Sequence, residues 1–354
     1  MLHKRNYSFD LLRIFCSFSV VCVHTAPMYS TYVTLNAGAF QNYLSLFIES
    51  FMRAGLPILV MISGILLLNR DIKDVWAFYK RRLIIILLPF LVIAPMHYLI
   101  VAHWTHAEAT MADYIVKLFN STAISIHFWF VYVIVGIYVV SPMFSLVVHK
   151  LDSKRAWIMI GILACTLIYN NYFQNVIPGL QIPNFGTWLV YFIMGGLLTK
   201  VTIPGKIAWW TLAAGYFSTA LIYWLNVNYY LNSSMGVFDS GFNMFVFASS
   251  IVYLFMSADF RPGDKTGNRL RFISTNTYAL YLVHIAVQIT LTQYIATDWV
   301  VGNVFSYTLT LSALTFALSL AVAIALNTLI INRITAYLIN IDFYKLYSGR
   351  SAES

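Results

Sequence analysis

The fold class this sequence predicts is all-α: a polytopic membrane protein of about ten transmembrane helices with both termini cytoplasmic. Three observations carry that prediction. Of the 354 residues, 60% are hydrophobic and 10% charged, whereas a soluble domain has about a quarter of its residues charged. Apolar runs long enough to cross about 30 Å of hydrocarbon recur along the chain. The basic residues between them alternate. With the N-terminus inside, nearly all of the 22 Lys and Arg residues fall in inner segments, Arg13 and Arg53 lie within spans, and Lys117 is alone in an outer loop. That asymmetry orients the chain.

The spans are predicted at residues 9–28, 44–68, 83–102, 126–148, 156–173, 185–198, 207–227, 242–258, 275–295 and 304–331. They form one domain over residues 1–354, with 348–354 as a frayed tail. Lys4 and Arg5 before the first run resemble the start of a signal peptide. Asp10 and Arg13 interrupt that run, and no small-residue cleavage pattern follows it, so it stays a helix. In the second span Pro57 removes a helix hydrogen bond and Ser63-Gly64 allows close helix approach, and all three are read as packing features. Ahead of the third, residues 74–82 (DVWAFYKRR) set Trp76 and Tyr79 beside three cations, which predicts a separate short helix in the inner interface. The outer loop 103–125 holds a second amphipathic stretch, MADYIVKLF. The fifth and sixth spans are short, and Asn170, Asn171 and Pro183 crowd the loop they share.

Several functional classes drop out. The net charge of +9 is spent on orienting loops and does not predict nucleic-acid binding. Cys16, Cys22 and Cys165 lie in apolar segments without C-x-x-C spacing, so neither a disulfide framework nor a thiolate metal site is expected. His103, His106 and Glu108 spell H-x-x-H-x-E, which is not a zinc-protease helix, and no metal site is predicted. There is no phosphate-binding glycine loop and no G-x-S-x-G elbow.

Ionisable side chains inside the membrane are the functional candidates. Arg13 and His24 are eleven residues apart. On a helix that is three turns plus about 20°, so both share one face about 16 Å apart along the axis. Asp10 and Arg13 form an i,i+3 pair at the helix end, which predicts a structural ion pair for Asp10. His24 lies about 22 Å along the helix, in the outer half. Glu49 and Arg53 reach a similar depth from the other side and are expected to bridge at i,i+4. His127 and Trp129 stand where the fourth span enters from outside, and Tyr278, Tyr281 and His284 share a face of the ninth.

In their order along the chain these residues resemble the acyltransferase-3 family of integral-membrane O-acyltransferases. The resemblance rests on FDLLR followed ten residues after Arg13 by His24, on RAGLP leading into ISG, on FYKRR before LLPF, on HFWF with IYVVSP, and on YLVH. It is nearest to stand-alone acetyltransferases of surface polysaccharide. One departure is that Lys80-Arg81-Arg82 does not reproduce the R-x-x-R pattern frequent at the family's basic site.

The resemblance implies a bacterial cytoplasmic-membrane enzyme with no bound cofactor and acetyl-CoA, or another acyl-CoA, as co-substrate. The acceptor would be a hydroxyl of a surface glycan or lipid-linked sugar outside. Lys80, Arg81 and Arg82, with Arg13, would hold the donor phosphates. His24 would act as general base and Arg53 would stabilise the oxyanion, with Arg13 beside them. Glu49, His127, Trp129, Tyr281 and His284 would face the acceptor. Membrane lipid is the remaining partner, and the chain is compatible with an oligomer. A transporter or flippase for lipid-linked sugars would use similar intramembrane charges, but the two halves of the chain lack the matched Gly/Pro-broken helices such repeats favour.

Overall fold

The computed structural model describes residues 7–25, 39–174, 176, 186–229, 241–258, 260–294 and 304–340. Among these the chain is helical throughout, with no strand. The main helices are α1 (Tyr7–Thr25), α2 (Ala39–Met52), α3 (Gly55–Leu68), α4 (Val75–Thr105), α5 (Met111–Leu118), α6 (Trp129–Val148), α7 (Ser153–Ile168), α8 (Thr187–Leu198), α9 (Gly205–Tyr229), α10 (Phe242–Ser257), α11 (Asp264–Thr292), α12 (Val304–Leu326) and α13 (Asn332–Asn340). The frayed tail expected at 348–354 lies outside the described residues.

Among the described residues, six segments are long and apolar enough to cross a membrane: Tyr7–Thr25, Leu46–Leu68, Val75–Thr105, Ile126–Val148, Ser153–Phe173 and Val304–Asn340. The protein is therefore a multi-pass, all-α membrane protein. Two of the other expected spans appear as the shorter apolar helices Thr187–Leu198 and Phe242–Ser257. Twelve residues of α-helix rise only about 18 Å, less than the hydrocarbon thickness.

Local chemistry explains where the helices start and bend. The α2–α3 span breaks at Arg53-Ala54, four residues before Pro57, because proline has no N–H to donate to the Arg53 carbonyl. Residues 74–82 do not form the separate interfacial helix expected. Asp74 caps α4 by accepting from the Ala77 N–H at 2.8 Å, and with no breaker after Arg82 the basic turn runs on into the span. The amphipathic stretch expected outside does form a helix, α5, capped by Thr110. It docks on α4 through Tyr98, whose hydroxyl donates to Asp113 at 2.7 Å, while Lys117 pairs with the same carboxylate at 2.8 Å. The last span continues through a π-helical turn, Asn327–Ile331, where Asn327 donates to Asn276 of α11 at 2.7 Å.

Helix α1 is central and packs against α2, α3, α10, α11 and α12. Helices α3 and α8 approach closely. A Cβ added at Gly64 would meet the Phe192 carbonyl oxygen at 1.9 Å, and one at Gly195 the Met61 oxygen at 2.0 Å. Backbones come this near only where side chains are absent, as in small-residue membrane contacts. Polar ties secure other pairs, including Thr25 with Ser312 of α12 and Asn69 with the Gly196 carbonyl at 3.2 Å.

Candidate active site

Four histidines from four elements converge near the C-terminal end of α1. His24 ends α1, His97 belongs to α4, His127 sits in the 3-10 turn Ile126–Phe128 ahead of α6, and His284 belongs to α11. Ring centres lie 5.2 Å apart for His24–His284, 4.7 Å for His127–His284 and 5.4 Å for His97–His127. His97, His127 and His284 are buried. The face of α11 that carries Tyr281, His284 and Gln288 supplies the matching contacts. The Tyr281 hydroxyl donates to the His127 carbonyl, and Gln288 donates to the His24 carbonyl at 2.6 Å, fixing the end of α1.

Hydrogen bonds set two tautomers, because a carbonyl can only accept. His127 Nε2 meets the Leu282 carbonyl at 3.2 Å, so it carries the proton, and in the neutral ring Nδ1 accepts from the Ser125 hydroxyl at 2.8 Å. His284 Nδ1 meets the Tyr281 carbonyl at 2.5 Å and carries the proton there. Its Nε2 has no hydrogen-bond partner among the described residues, nor has either nitrogen of His97.

His24, Arg53, His127, Trp129, Trp188 and Tyr281 all line one cavity of about 190 Å³. Arg53 is held in it by Glu49, at 2.7 Å through a terminal nitrogen and 3.2 Å through Nε. The second Glu49 oxygen accepts from Tyr223 at 2.6 Å. Trp129 and Trp188 form an aromatic pair with centres 5.1 Å apart.

Tyr281 is also part of the wall of a second cavity, of about 300 Å³, shared with Arg13, Ser17, Ser63, Tyr138 and Tyr278. At the end of the bundle that carries the α3–α4 turn lies a third, basic cavity of about 280 Å³, lined by Arg70, Lys73, Arg81 and Arg82 together with Asp71 and Asp74. Arg82 stands near both it and the second, with its guanidinium 5.9 Å from the Phe78 ring and 5.9 Å from the Tyr138 ring. Burial, then the like charges of Arg82 and Arg81, push the Arg70 guanidinium below its ordinary range. That crowding of cations favours an anion. A fourth cavity of about 300 Å³, bounded by α4, α11 and α12, is apolar apart from His97 and Thr290.

The structure thus gathers His24, Arg53, His127, Trp129 and Tyr281 at one cavity, with Glu49 behind Arg53 and His284 behind His24. Arg13 lines the adjoining one, where its guanidinium is 4.0 Å from Asp10. Of the three expected donor cations, Arg81 and Arg82 line the basic cavity. Lys80 does not, and its ammonium donates instead to the Ile339 carbonyl of α13 at 2.8 Å. Pro57 also lines the His24 cavity and Ser63 the Arg13 cavity, and Gly64 lies at the close α3–α8 contact. His103 and His106 stand at the end of α4, His106 as its left-handed cap with φ 53°.

Sequence reasoning passed over His97, Arg70 and Lys73. His97 carried the same signal as His24, an imidazole inside an apolar span. Arg70 and Lys73 are spaced R-x-x-K in the α3–α4 turn, where basic residues also serve to orient the chain.

Neither a curated protein nor a solved structure matches the chain. A family model for an acyltransferase domain matches residues 6–328, nearly the whole chain and all of the residues that build these cavities. The chain belongs to the acyltransferase-3 family, and its domain is that of a membrane acyltransferase.

Proposed function

We propose that the protein is an O-acyltransferase of the bacterial cytoplasmic membrane. It moves an acetyl or other short acyl group from cytoplasmic acyl-CoA to a hydroxyl of a surface glycan or its lipid-linked precursor. The observation that supports this most is the succession of cavities. A basic one adjoins that of Arg13 across the Arg82–Tyr138 contact, and Arg13's cavity shares Tyr281 with that of His24. The route suits a donor with a phosphorylated head and a long thin arm, because Arg13 and His24 are about 16 Å apart along α1 and an extended pantetheine arm is about 15–20 Å long.

Arg70, Lys73, Arg81 and Arg82 bind the nucleotide phosphates by charge-assisted hydrogen bonds. The arm passes Arg13 and Tyr281 and brings the thioester carbonyl beside Arg53. A sugar hydroxyl enters beside Trp129 and Trp188, where aromatic faces suit the apolar face of a pyranose. His24 takes the hydroxyl proton as the oxygen attacks the thioester carbon, and Arg53 stabilises the tetrahedral oxyanion. The C–S bond breaks, the ester C–O bond remains, and His24 returns its proton to the departing CoA thiolate. Glu49 keeps Arg53 aimed throughout.

The test is transfer in sealed proteoliposomes of known orientation. Acetyl-CoA added on the side of the α3–α4 turn should support transfer to a glycan acceptor on the other side. Transfer only when both substrates share one side would overturn the vectorial reading. Movement of glycan without cleavage of the thioester would revive the flippase.

A further inference from the structure

We propose that His284 is a positioning residue for His24. It accepts the His24 N–H that points away from the cavity, so that the other His24 nitrogen presents its lone pair to the acceptor hydroxyl. The inference rests on the reading of His24 as general base and assigns that base its partner.

Four observations carry it. His284 is completely buried and lines none of the four cavities described above, so it is not placed to touch substrate. Its Nδ1 proton is committed to the Tyr281 carbonyl, which leaves Nε2 a bare acceptor, and that atom is buried without a donor among the described residues. A buried polar atom left unpaired is costly, and one that persists calls for an explanation. Two rings flank it. His127, 4.7 Å away between centres, has both nitrogens engaged. His24, 5.2 Å away, lines the cavity that His284 does not reach.

His24 is therefore the neighbouring ring left to supply an N–H, and the bond to His284 Nε2 is not formed in this structure. In a resting site such bonds are often long and close only when substrate arrives. The arrangement is that of a catalytic histidine oriented by a fixed acceptor behind it, with an imidazole lone pair in place of a carboxylate. As His24 takes the hydroxyl proton and becomes imidazolium, the N–H shared with His284 Nε2 carries part of the charge. When that proton passes to the CoA thiolate, both rings return to their starting tautomers.

Two measurements on the full chain in nanodiscs test this. In the unmodified protein, nitrogen-15 chemical shifts should show His284 protonated at Nδ1 and bare at Nε2; protonation at Nε2 overturns the proposal. The near-isosteric pair His284→Gln and His284→Met then separates acceptor from bulk. We expect His284→Met to lower kcat about 100-fold with the acetyl-CoA KM unchanged, and His284→Gln, whose amide oxygen can still accept, to stay within about tenfold of the parent. Equal kcat for the two variants overturns the proposal while leaving His24 as base, provided His24→Ala is inactive. An active His24→Ala removes the base itself and the proposal with it.

Discussion

Arg53 and Glu49 form a closed pair, in which two guanidinium nitrogens fall on one carboxylate oxygen and the other oxygen is taken by Tyr223. Three bonds to this carboxylate tie Glu49 first to Arg53 and Tyr223, which fits it to hold the guanidinium in place. The break between α2 and α3 sets this geometry, since it turns the first helix turn away before Pro57 and leaves the guanidinium at the cavity wall.

Glu49→Gln should therefore keep the fold and lower kcat about tenfold to 100-fold, with little change in donor KM, because Arg53 loses its aim where an oxyanion donor contributes about 10²–10³. Glu49→Ala leaves a largely buried cation without its partner and should cost about 3–5 kcal/mol of stability. Thermal unfolding in detergent beside steady-state kinetics separates the two effects.

His24→Ala should abolish transfer and leave acetyl-CoA binding within about twofold, since the change removes a base and not a phosphate contact. Isothermal titration with acetyl-CoA on the inactive variant checks it. Residual kcat above a few per cent of the parent would take His24 out of the chemistry.

The basic cavity gives a prediction that separates neighbours in sequence. Arg70→Gln with Arg82→Gln should raise the acetyl-CoA KM more than tenfold and flatten its dependence on salt, because phosphate contacts by accessible cations are screened. Lys80→Gln should change KM less than twofold, since its ammonium is turned to the Ile339 carbonyl. Equal effects from Lys80 and Arg70 would mean that the phosphates lie across α4 and not in the turn.

At the α3–α8 contact, Gly64→Ala puts a methyl group 1.9 Å from a carbonyl oxygen. Overpacking of this kind costs about 1–3 kcal/mol where neighbours relax, and here the neighbour is backbone. A lowered melting temperature and reduced yield are expected, whereas Gly136→Ala, with open space around its Cβ, should melt like the parent.

The helices and the intramembrane ionisable residues were legible in the sequence because lipid imposes a strong and simple rule: an apolar run must be helical, and a charge inside it needs a reason. Arg13, His24 and Arg53 were found that way. Side-chain direction was not legible. Lys80, Arg81 and Arg82 are consecutive, so about 100° of helix rotation separates each from the next, and only contacts with α13 and the α3–α4 turn decide which cation meets the cavity. The continuity of residues 74–105 was missed for a related reason. The basic turn has the composition of an interfacial helix, and a cap at Asp74 with no breaker after it is compatible with either ending. Tautomers depend on carbonyls of other helices, which no single segment encodes.

Tyr281 forms part of the walls of both the Arg13 and the His24 cavities, and its hydroxyl is tethered to the His127 carbonyl. A passage open at both ends through a bilayer would short-circuit the ion gradient of the membrane that holds it. On the proposed reading, a phenol fixed at the junction by one hydrogen bond would keep the two chambers as separate locks. The proposed thioester donor would push that ring aside for the length of one turnover, while hydrated protons and sodium ions, which have no binding energy to spend on the displacement, would meet a closed wall. The insulation of the membrane would then rest on the same side chain that the donor must pass.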